Sequence, residues 1–254
     1  MKCSGVGIKM TEMQYKMPSL NSVLTDLIFL QNLPSMSVAK ILNPFPGSRV
    51  LDMCAAPGGK TCHLAAIMKN TGDIFALDKM PKKVAKIQEN CDLLGVKNVH
   101  VMATDSSKLI SKKIFEPESF DYILLDPPCS GLGLRPKIKF NDADWEHLDS
   151  FAPFQRKLFL EAWDLLKPGG EMTYSTCTIN PLENELLVDK MLLNLRDAEI
   201  LPIREGFMEK YCLPGLQVGS LTDEICRKCI CRFIPSRERD SNGFFLVKFR
   251  KTRK

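Results

Sequence analysis

The chain has 254 residues, 44% hydrophobic and 26% charged, which fits a globular protein with one large domain or two small ones. Its net charge of +5 is mildly basic, which is compatible with a polyanionic partner but does not identify one. No stretch reaches the ~18 apolar residues of a membrane span, and no apolar signal-peptide core follows "MKCSGVGIKM", so we expect neither a membrane protein nor a secreted one.

Apolar strand patterns alternate with amphipathic helix patterns along most of the chain. Residues 1–47 predict a short helical lead-in that packs on a sheet and is ended by Pro44 and Pro46. The predicted strands are 48–54, 72–78, 98–105, 120–128, 171–176 and 243–249. The predicted helices are 59–70, 81–95, 154–166 and 181–195. A turn is predicted at 167–170, and the less periodic segment 204–242 is predicted to be rich in loops.

This alternation, with near-continuous apolar strands, predicts an α/β domain with a mostly parallel sheet covered on both faces. Ligands of such sheets bind beyond the carboxyl ends of the strands. The unusual polar residues of this chain stand at those ends, so we expect one crevice to hold them. They are 52–60, Asp78, Asp105, 126–129 and Cys177.

The sequence "LDMCAAPGGKT" (51–61) follows a predicted strand and opens a predicted helix. Gly58 and Gly59 allow the backbone to approach a ligand closely, and the helix N-terminus offers free N–H groups. A nucleoside-triphosphate loop would need glycine six residues before Lys60, where Cys54 stands, and the dinucleotide pattern G-x-G-x-x-G is also missing. The loop therefore predicts a different cofactor.

Two aspartates extend the pattern, because Asp78 ends the next predicted strand and Asp105 the one after it. The first can accept hydrogen bonds from two ribose hydroxyls, and the second from an adenine amino group. An aspartate at a strand end often only forms a turn or caps a helix. Their succession nevertheless favours a nucleoside pocket with little provision for phosphate, which S-adenosylmethionine fits.

Two strands end in cysteine, within "DPPCSG" (126–131) and "STCT" (175–178). A thiolate that adds to carbon 6 of a pyrimidine makes carbon 5 nucleophilic enough to be methylated. A carboxyl group such as Asp126 can hydrogen bond the ring nitrogen, and a base removes the carbon-5 proton so that the thiol leaves. The residues alone allow either Cys129 or Cys177 to attack, and they also allow both to be small core residues.

The remaining cysteines are scattered rather than spaced as a disulfide framework, which predicts free thiols in a reducing compartment. We predict a cytoplasmic location, with the nucleus as the alternative. Cys226 and Cys229 have CxxC spacing, but there is no second such pair and no histidine nearby. We therefore predict no metal site.

The motifs "LDMCAAPGGKT", "ALDK", "ILLDPPCSGLG" and "LLKPGGEMTYSTCTINPLENE" resemble, in sequence and order, the NOL1/NOP2/Sun family of RNA cytosine-5 methyltransferases. The resemblance implies a Rossmann-like class I fold, a doubly wound and mostly parallel sheet with an antiparallel C-terminal strand. It implies S-adenosylmethionine as cofactor, RNA as substrate, and 5-methylcytosine as product. Residues 48–254 would be the methyltransferase domain.

The resemblance also implies a role for each site residue. Cys177 matches the nucleophile, Cys129 matches the cysteine that helps to release the product, and Asp126 matches the aspartate that contacts the target base beside the methyl donor. The implied cofactor-binding residues are Cys54, Ala55, Ala56, Pro57, Gly58, Gly59, Lys60, Asp78, Asp105 and Asp126.

The segments "GLGLRP" and "PSLNSVLTDLIFLQNLPS" are most similar to the branch that methylates the acceptor end of certain tRNAs and some mRNAs. That branch has an upstream PUA module, which we expect this chain to lack. The expected partner is RNA, above all tRNA, with no membrane, and the chain is expected to be a monomer. Basic and aromatic residues after the Cys129 loop are predicted to contact phosphates and to stack on bases, although packing explains the aromatic ones equally well. They are Arg135, Lys137, Lys139, Phe140 and Trp145.

Two other functions compete with this prediction. A nitrogen methyltransferase would need an aromatic residue where Cys129 stands and would have no use for Cys177. A catalytically weak RNA-binding or scaffold protein, without its RNA-recruiting module, would not need the catalytic positions that are all intact here. An activity assay on the chain separates these hypotheses.

Overall fold

The computed structural model describes residues 29–135, 148–236 and 241–253, together with two short antiparallel strands, β1 (Lys2–Cys3) and β2 (Ile8–Lys9). The other strands in this part of the chain are β3 (Arg49–Asp52), β4 (Asp73–Asp78), β5 (Val99–Ala103), β6 (Phe120–Leu125), β7 (Leu166–Thr176), β8 (Ala198–Leu201), β9 (Ile230–Phe233) and β10 (Phe244–Lys251). The helices are α1 (Leu33–Leu42), α2 (Gly59–Ile67), α3 (Pro81–Leu93), α4 (Phe151–Leu165), α5 (Glu185–Asn194), α6 (Phe207–Tyr211) and α7 (Asp223–Cys229), with a 3-10 turn at Ser106–Lys108.

The main sheet has the order β5-β4-β3-β6-β7-β10-β8. The strands from β3 to β7 pair in parallel, whereas β10 runs antiparallel to β7 and to both β8 and β9. Parallel strands joined by helical crossovers bring their carboxyl ends to one edge. The predicted doubly wound, mostly parallel sheet with an antiparallel C-terminal strand is confirmed.

Alternate residues of the central strands supply cores on both faces of the sheet, as the two-residue period of a strand requires. Leu51 and Ile123 belong to the core that contains residues of α4 and α5. Val50 and Leu124 belong to the core that contains residues of α1 and α2. Burial on both faces explains why these strands are near-continuous apolar runs in the sequence.

Helix α1 lies in the predicted helical lead-in, whose described residues also include the short strands β1 and β2. The Asn32 side chain caps its N-terminus, and the chain turns left-handed at Asn43, with φ of 45°, just after its last residue. Val38 and Leu42 are fully buried in the core that this helix shares with the sheet. The helix thus packs on the sheet as predicted, while residues 10–28 lie outside the described part of the chain and the domain division stays a prediction.

The segment 204–242 is rich in loops as predicted, but it also contains α6, α7 and β9, which were not predicted, and β9 pairs with β10. Arg232 lies inside β9, where it is buried against Glu185, so the strand does not look apolar in sequence. The turn predicted at 167–170 belongs to β7, whose pairing with β6 is irregular there.

Among the helices of the described ranges, none is long and apolar enough to cross a membrane.

Candidate active site

The loop 53–58 joins β3 to α2 at the carboxyl edge of the sheet. The N–H of Ala55 donates to the carbonyl of Leu77 at 2.8 Å, which ties the loop to β4. Gly58 has a φ of +106°, and a Cβ at this position would lie 3.3 Å from the Cα of Ile87. Glycine is therefore required for the turn that starts α2 beside the edge of the sheet.

Asp78 and Asp105 each use one carboxylate oxygen to stabilise a local turn. Oδ1 of Asp78 accepts from the N–H of Met80 at 2.9 Å, and Oδ1 of Asp105 accepts from the N–H and hydroxyl of Ser107 at 3.1 and 2.8 Å. Oδ2 of Asp105 lies 3.6 Å from Nζ of Lys79, and within the described ranges neither Oδ2 has a hydrogen-bond donor from the protein. Each aspartate can thus form a turn and still offer an oxygen to a ligand.

Asp52, at the end of β3, is fully buried. Its Oδ2 accepts a hydrogen bond from the Thr61 hydroxyl at 2.8 Å, whereas its Oδ1 has no partner in the described part of the chain. Burial raises the pKa of Asp52 to about 7, although the hydrogen bond from Thr61 opposes this rise. A carboxyl group therefore lies under the cofactor loop and titrates near neutral pH.

Negative charge dominates the surroundings of Cys54 in this loop. Burial raises the pKa of the Cys54 thiol, and the carboxylates of Asp52, Asp126 and Asp78 raise it further, while Lys83 opposes them. Of these, the carboxylates of Asp78 and Asp126 favour a cation beside the loop. These carboxylates fit S-adenosylmethionine, because it carries a sulfonium, an ammonium and ribose hydroxyls. They disfavour a nucleoside phosphate, because it is an anion.

The two thiols predicted to share a crevice lie next to each other. Cys129 follows β6 and Cys177 follows the neighbouring strand β7, and their sulfur atoms are 3.1 Å apart, both partly exposed. The hydrogen bond with Cys129 lowers the pKa of the Cys177 thiol, and the charge of Lys60 lowers it as well. The same hydrogen bond and burial raise the pKa of Cys129. The charge of Lys60 thus favours the thiolate at Cys177.

Lys60 extends from the first turn of α2 to this pair of strands. Its Nζ lies 2.5 Å from Oδ2 of Asp126, and the Ser175 hydroxyl donates to Oδ1 of the same carboxylate at 3.0 Å. Burial lowers the pKa of Lys60, but the Asp126 carboxylate outweighs burial, so its pKa is raised and the ammonium stays charged. The lysine predicted for the cofactor loop therefore also holds the aspartate predicted to contact the base.

Glu183 is a residue of this site that the motif analysis did not single out. It is fully buried and accepts hydrogen bonds from side chains or backbone of Ser130, Gln155 and Asn180. The polar run "NPLENE" that follows the Cys177 strand could have indicated this residue, but its spacing is also that of the start of a solvent-exposed helix. The structure therefore adds a buried carboxylate beneath the two thiols.

The residues predicted to contact RNA are mostly beyond what the structure describes. Arg135 is exposed at the end of the described stretch that follows Cys129. Lys137, Lys139, Phe140 and Trp145 lie outside the described residues.

The CxxC cysteines, Cys226 and Cys229, are buried free thiols in α7. In residues 29–135, 148–236 and 241–253, no group of three or more His, Cys, Asp or Glu side chains is arranged to hold a metal ion.

The model of the 16S rRNA methyltransferase RsmB/F family matches residues 39–250, which is most of the chain. The chain belongs to this family. It is the NOL1/NOP2/Sun family that the four motifs predict, and that prediction is confirmed.

Named relatives of this RsmB/F chain modify tRNA or rRNA. Human tRNA (cytosine(72)-C(5))-methyltransferase NSUN6 is 49% identical over 192 residues, which cover 71% of this chain and 40% of NSUN6. The Pyrococcus horikoshii tRNA (cytosine(72)-C(5))-methyltransferase is 35% identical over 252 residues, which cover 98% of this chain and 59% of that enzyme. The rRNA (cytosine-C(5))-methyltransferase NOP2C of Arabidopsis thaliana is 29% identical. The chain spans about half the length of these relatives, from 40% to 59%.

Solved structures share the fold of this RsmB/F domain. The crystal structure of NSun6 from Pyrococcus horikoshii with SFG has a TM-score of 0.75 at 32% identity, covering 97% of this chain and 57% of that one. A methyltransferase homologue from Pyrococcus horikoshii has a TM-score of 0.78 at 36% identity, covering 95% of this chain and 73% of that one.

Proposed function

We propose that this chain is an S-adenosylmethionine-dependent RNA methyltransferase that forms 5-methylcytosine through a covalent adduct with Cys177. The observation that carries the proposal is the pair of partly exposed thiols, with sulfur atoms 3.1 Å apart, beside the Asp126 carboxylate. Methylation of cytosine at carbon 5 needs a thiolate that attacks the ring, a group that binds the ring nitrogen, and a group that helps to release the product from the thiol. The three side chains supply one group for each need.

Cys177 is the proposed nucleophile. Its pKa is lowered by the hydrogen bond with Cys129 and by the charge of Lys60, and this lysine acts on Cys177 rather than on Cys129. The thiolate sulfur forms a bond to carbon 6 of the target cytosine, and the electron pair of the 5,6 double bond moves toward carbon 5. This asymmetry between the thiols agrees with the roles that the family resemblance implies.

Asp126 is proposed to accept a hydrogen bond from the ring nitrogen of the cytosine, which takes up a proton as negative charge develops on the ring during this addition. Its two oxygens are held by Lys60 and Ser175, which fix the plane of the carboxylate next to the thiols. A carboxylate held at both oxygens loses little freedom when the base binds, so the geometry favours the addition step.

Release needs the carbon-5 proton to leave. We propose that a base takes this proton and that the electron pair of the bond between carbon 5 and hydrogen restores the 5,6 double bond. The bond from sulfur to carbon 6 then breaks, and Cys177 departs as a thiolate. Cys129 lies next to that bond and is proposed to assist this step. Without Cys129, the adduct should form and persist.

The cofactor-binding residues are proposed to be the loop from Cys54 to Lys60 with Asp78, Asp105 and Asp126. When bound, S-adenosylmethionine supplies the methyl group that carbon 5 receives. The free oxygens of Asp78 and Asp105 suit ribose hydroxyls and an adenine amino group, and the carboxylates around Cys54 suit the cationic end.

The proposed substrate is tRNA, with cytosine 72 as the target and certain mRNAs as secondary substrates. The support is the 49% identity to the human relative named for cytosine 72 of tRNA, against 38% and 36% for two relatives named for ribosomal RNA. We also propose that the enzyme acts as a monomer in the cytoplasm, which ultracentrifugation and cell fractionation test.

The test compares Cys129→Ala, Cys177→Ala and Cys229→Ala, the last a matched control at a buried thiol of α7. Each protein is incubated with S-adenosylmethionine and a tRNA transcript that carries cytosine 72, and a second transcript carries uracil there. We expect Cys129→Ala alone to give a slow-migrating, nuclease-sensitive adduct on a denaturing gel, and only with the cytosine transcript.

Other outcomes would redirect the assignment. An adduct only with Cys177→Ala reverses the two roles. An adduct with ribosomal RNA and none with tRNA refutes the substrate. Cofactor binding with neither adduct nor methyl transfer on any RNA supports the RNA-binding or scaffold alternative.

A further inference from the structure

Glu183 connects the two loops that carry the thiols. Its Oε2 accepts from the backbone N–H of Ser130 at 3.0 Å and from Nε2 of Gln155 at 2.8 Å. Its Oε1 accepts from the Ser130 hydroxyl at 2.5 Å and from Nδ2 of Asn180 at 3.1 Å. Ser130 is adjacent to Cys129, and Asn180 lies three residues after Cys177, so one carboxylate binds both loops.

The environment of Glu183 is unusual for a carboxylate. The residue is fully buried, and among the described residues no lysine, arginine or histidine forms an ion pair with it. Burial of a charge is unfavourable unless hydrogen bonds replace its water shell. Here four donors, two for each oxygen, replace that shell, and the donors come from three separate segments.

The bonds around Glu183 extend to the thiol loops themselves. Nε2 of Gln155 also donates to the carbonyl of Pro128 at 3.0 Å, directly before Cys129. The Ser130 hydroxyl lies 2.8 Å from that of Thr178, directly after Cys177. The residues on either side of the two thiols are therefore held in one network, at whose centre is Glu183.

We propose that Glu183 is a positioning residue that fixes Cys129 and Cys177 against each other. All four groups around Glu183 donate hydrogen bonds, and the two oxygens of a carboxylate can accept all four. The amide of a glutamine has the same shape but cannot, because its NH2 group would face two donors. Loss of the network would let the Cys129 loop move relative to the Cys177 loop. The effect on methyl transfer rests on the proposed function, whereas the effect on the distance between the thiols does not.

The test measures this distance without RNA. Diamide, a diazene oxidant, takes two protons and two electrons from a pair of adjacent thiols, which join as a disulfide while the diazene becomes a hydrazine. The rate at which the peptides containing Cys129 and Cys177 become linked is followed by mass spectrometry after alkylation of the other thiols. Wild type is compared with Glu183→Gln and with Asp189→Asn.

Asp189→Asn is the matched control. Asp189 is a nearly buried carboxylate on α5 that accepts two hydrogen bonds from Ser220 and contacts neither thiol loop. We expect wild type and Asp189→Asn to form the disulfide at equal rates and Glu183→Gln to form it about tenfold more slowly. With tRNA, we expect kcat of Glu183→Gln to fall about 100-fold with little change in KM for RNA or cofactor.

Two outcomes would overturn the positioning role. One is a Glu183→Gln protein that forms the disulfide as fast as wild type. The other is an equal loss in Asp189→Asn, which would mean general destabilisation. If Glu183→Gln does not fold, Ser130→Ala removes only the hydroxyl that binds Oε1, and the same slowing in smaller degree is expected. If Glu183→Gln forms the disulfide slowly but wild type transfers no methyl group to RNA, the positioning role is supported and the proposed function is refuted.

Discussion

Asp52 makes the stability of this protein depend on pH in a calculable way. Burial raises its pKa in the folded chain from the ordinary 3.8 to about 7. Between these values the folded protein holds a proton that the unfolded chain releases, so the protonated group stabilises the fold. This contribution is complete below pH 4 and is lost as the pH rises through about 7.

The magnitude follows from the two pKa values. Their difference of about three corresponds to about 4 kcal/mol, of which about 3 kcal/mol is lost between pH 5 and pH 8. Asp52→Asn keeps the shape of the side chain but cannot ionise. The free energy of unfolding of this variant should therefore lack the pH-dependent contribution of Asp52. Among the described residues no partner faces the Oδ1 position, so an asparagine amide leaves two N–H groups unpaired where the protonated carboxyl leaves one O–H, and the additional unpaired donor should cost about 1–3 kcal/mol at low pH.

The assay is urea unfolding of wild type and Asp52→Asn at pH 5 and pH 8, with both midpoint and slope recorded. We expect wild type to be the more stable protein at pH 5 and Asp52→Asn to gain on it by about 3 kcal/mol at pH 8. All other titrating groups are shared, so they cancel in the comparison. Equal pH dependence of the two proteins would refute a neutral buried Asp52.

Three further predictions concern charges of the same site. Lys60→Met removes a cation that lowers the pKa of Cys177, so alkylation of Cys177 by iodoacetamide should slow at pH 7.5. Both proteins carry Cys129→Ser, so that Cys129 is not alkylated. An unchanged rate would contradict the role of Lys60. Asp78→Asn should weaken S-adenosylhomocysteine binding in calorimetry about tenfold without lowering the melting temperature. Asparagine keeps the acceptor for the N–H of Met80 and loses only the 4.0 Å ion pair with the exposed Lys83. A parallel loss of binding and of melting temperature would indicate a structural role. Arg232→Met leaves Glu185 buried without its cation, which should cost about 3–5 kcal/mol in urea unfolding, whereas a loss below about 1 kcal/mol would contradict the buried pair.

The sequence predicts the central sheet well for a physical reason. Strands β3, β4 and β6 are covered on both faces, so each contains consecutive apolar residues (50–51, 74–77 and 122–125) that are visible without an alignment. Four described strands were not predicted. β1 and β2 have two residues each, and β8 and β9 have four residues each and pair with β10 at the side of the sheet. Such short strands carry little periodic signal.

The site residues divide in the same way. Cys129 and Cys177 were found because each follows an apolar strand directly, and neighbouring parallel strands place such residues side by side. Lys60 was found only as a member of the cofactor loop. Its contact with Asp126, 66 residues away, depends on how far a lysine side chain reaches across the edge of the sheet, which periodicity does not report.

Buried carboxylates are the feature that sequence patterns hide most completely. Glu183 and Glu185 stand at the start of a helix, where acidic residues are favoured even when solvent surrounds them. Their burial is decided instead by donors from other segments: Arg232 binds Glu185, and Ser130 and Gln155 bind Glu183. A burial that depends on partners from distant segments arises only when the whole fold is formed. The closeness of the two thiols follows from neighbouring strands and could be predicted, whereas the hydrogen bonds that hold their loops together could not.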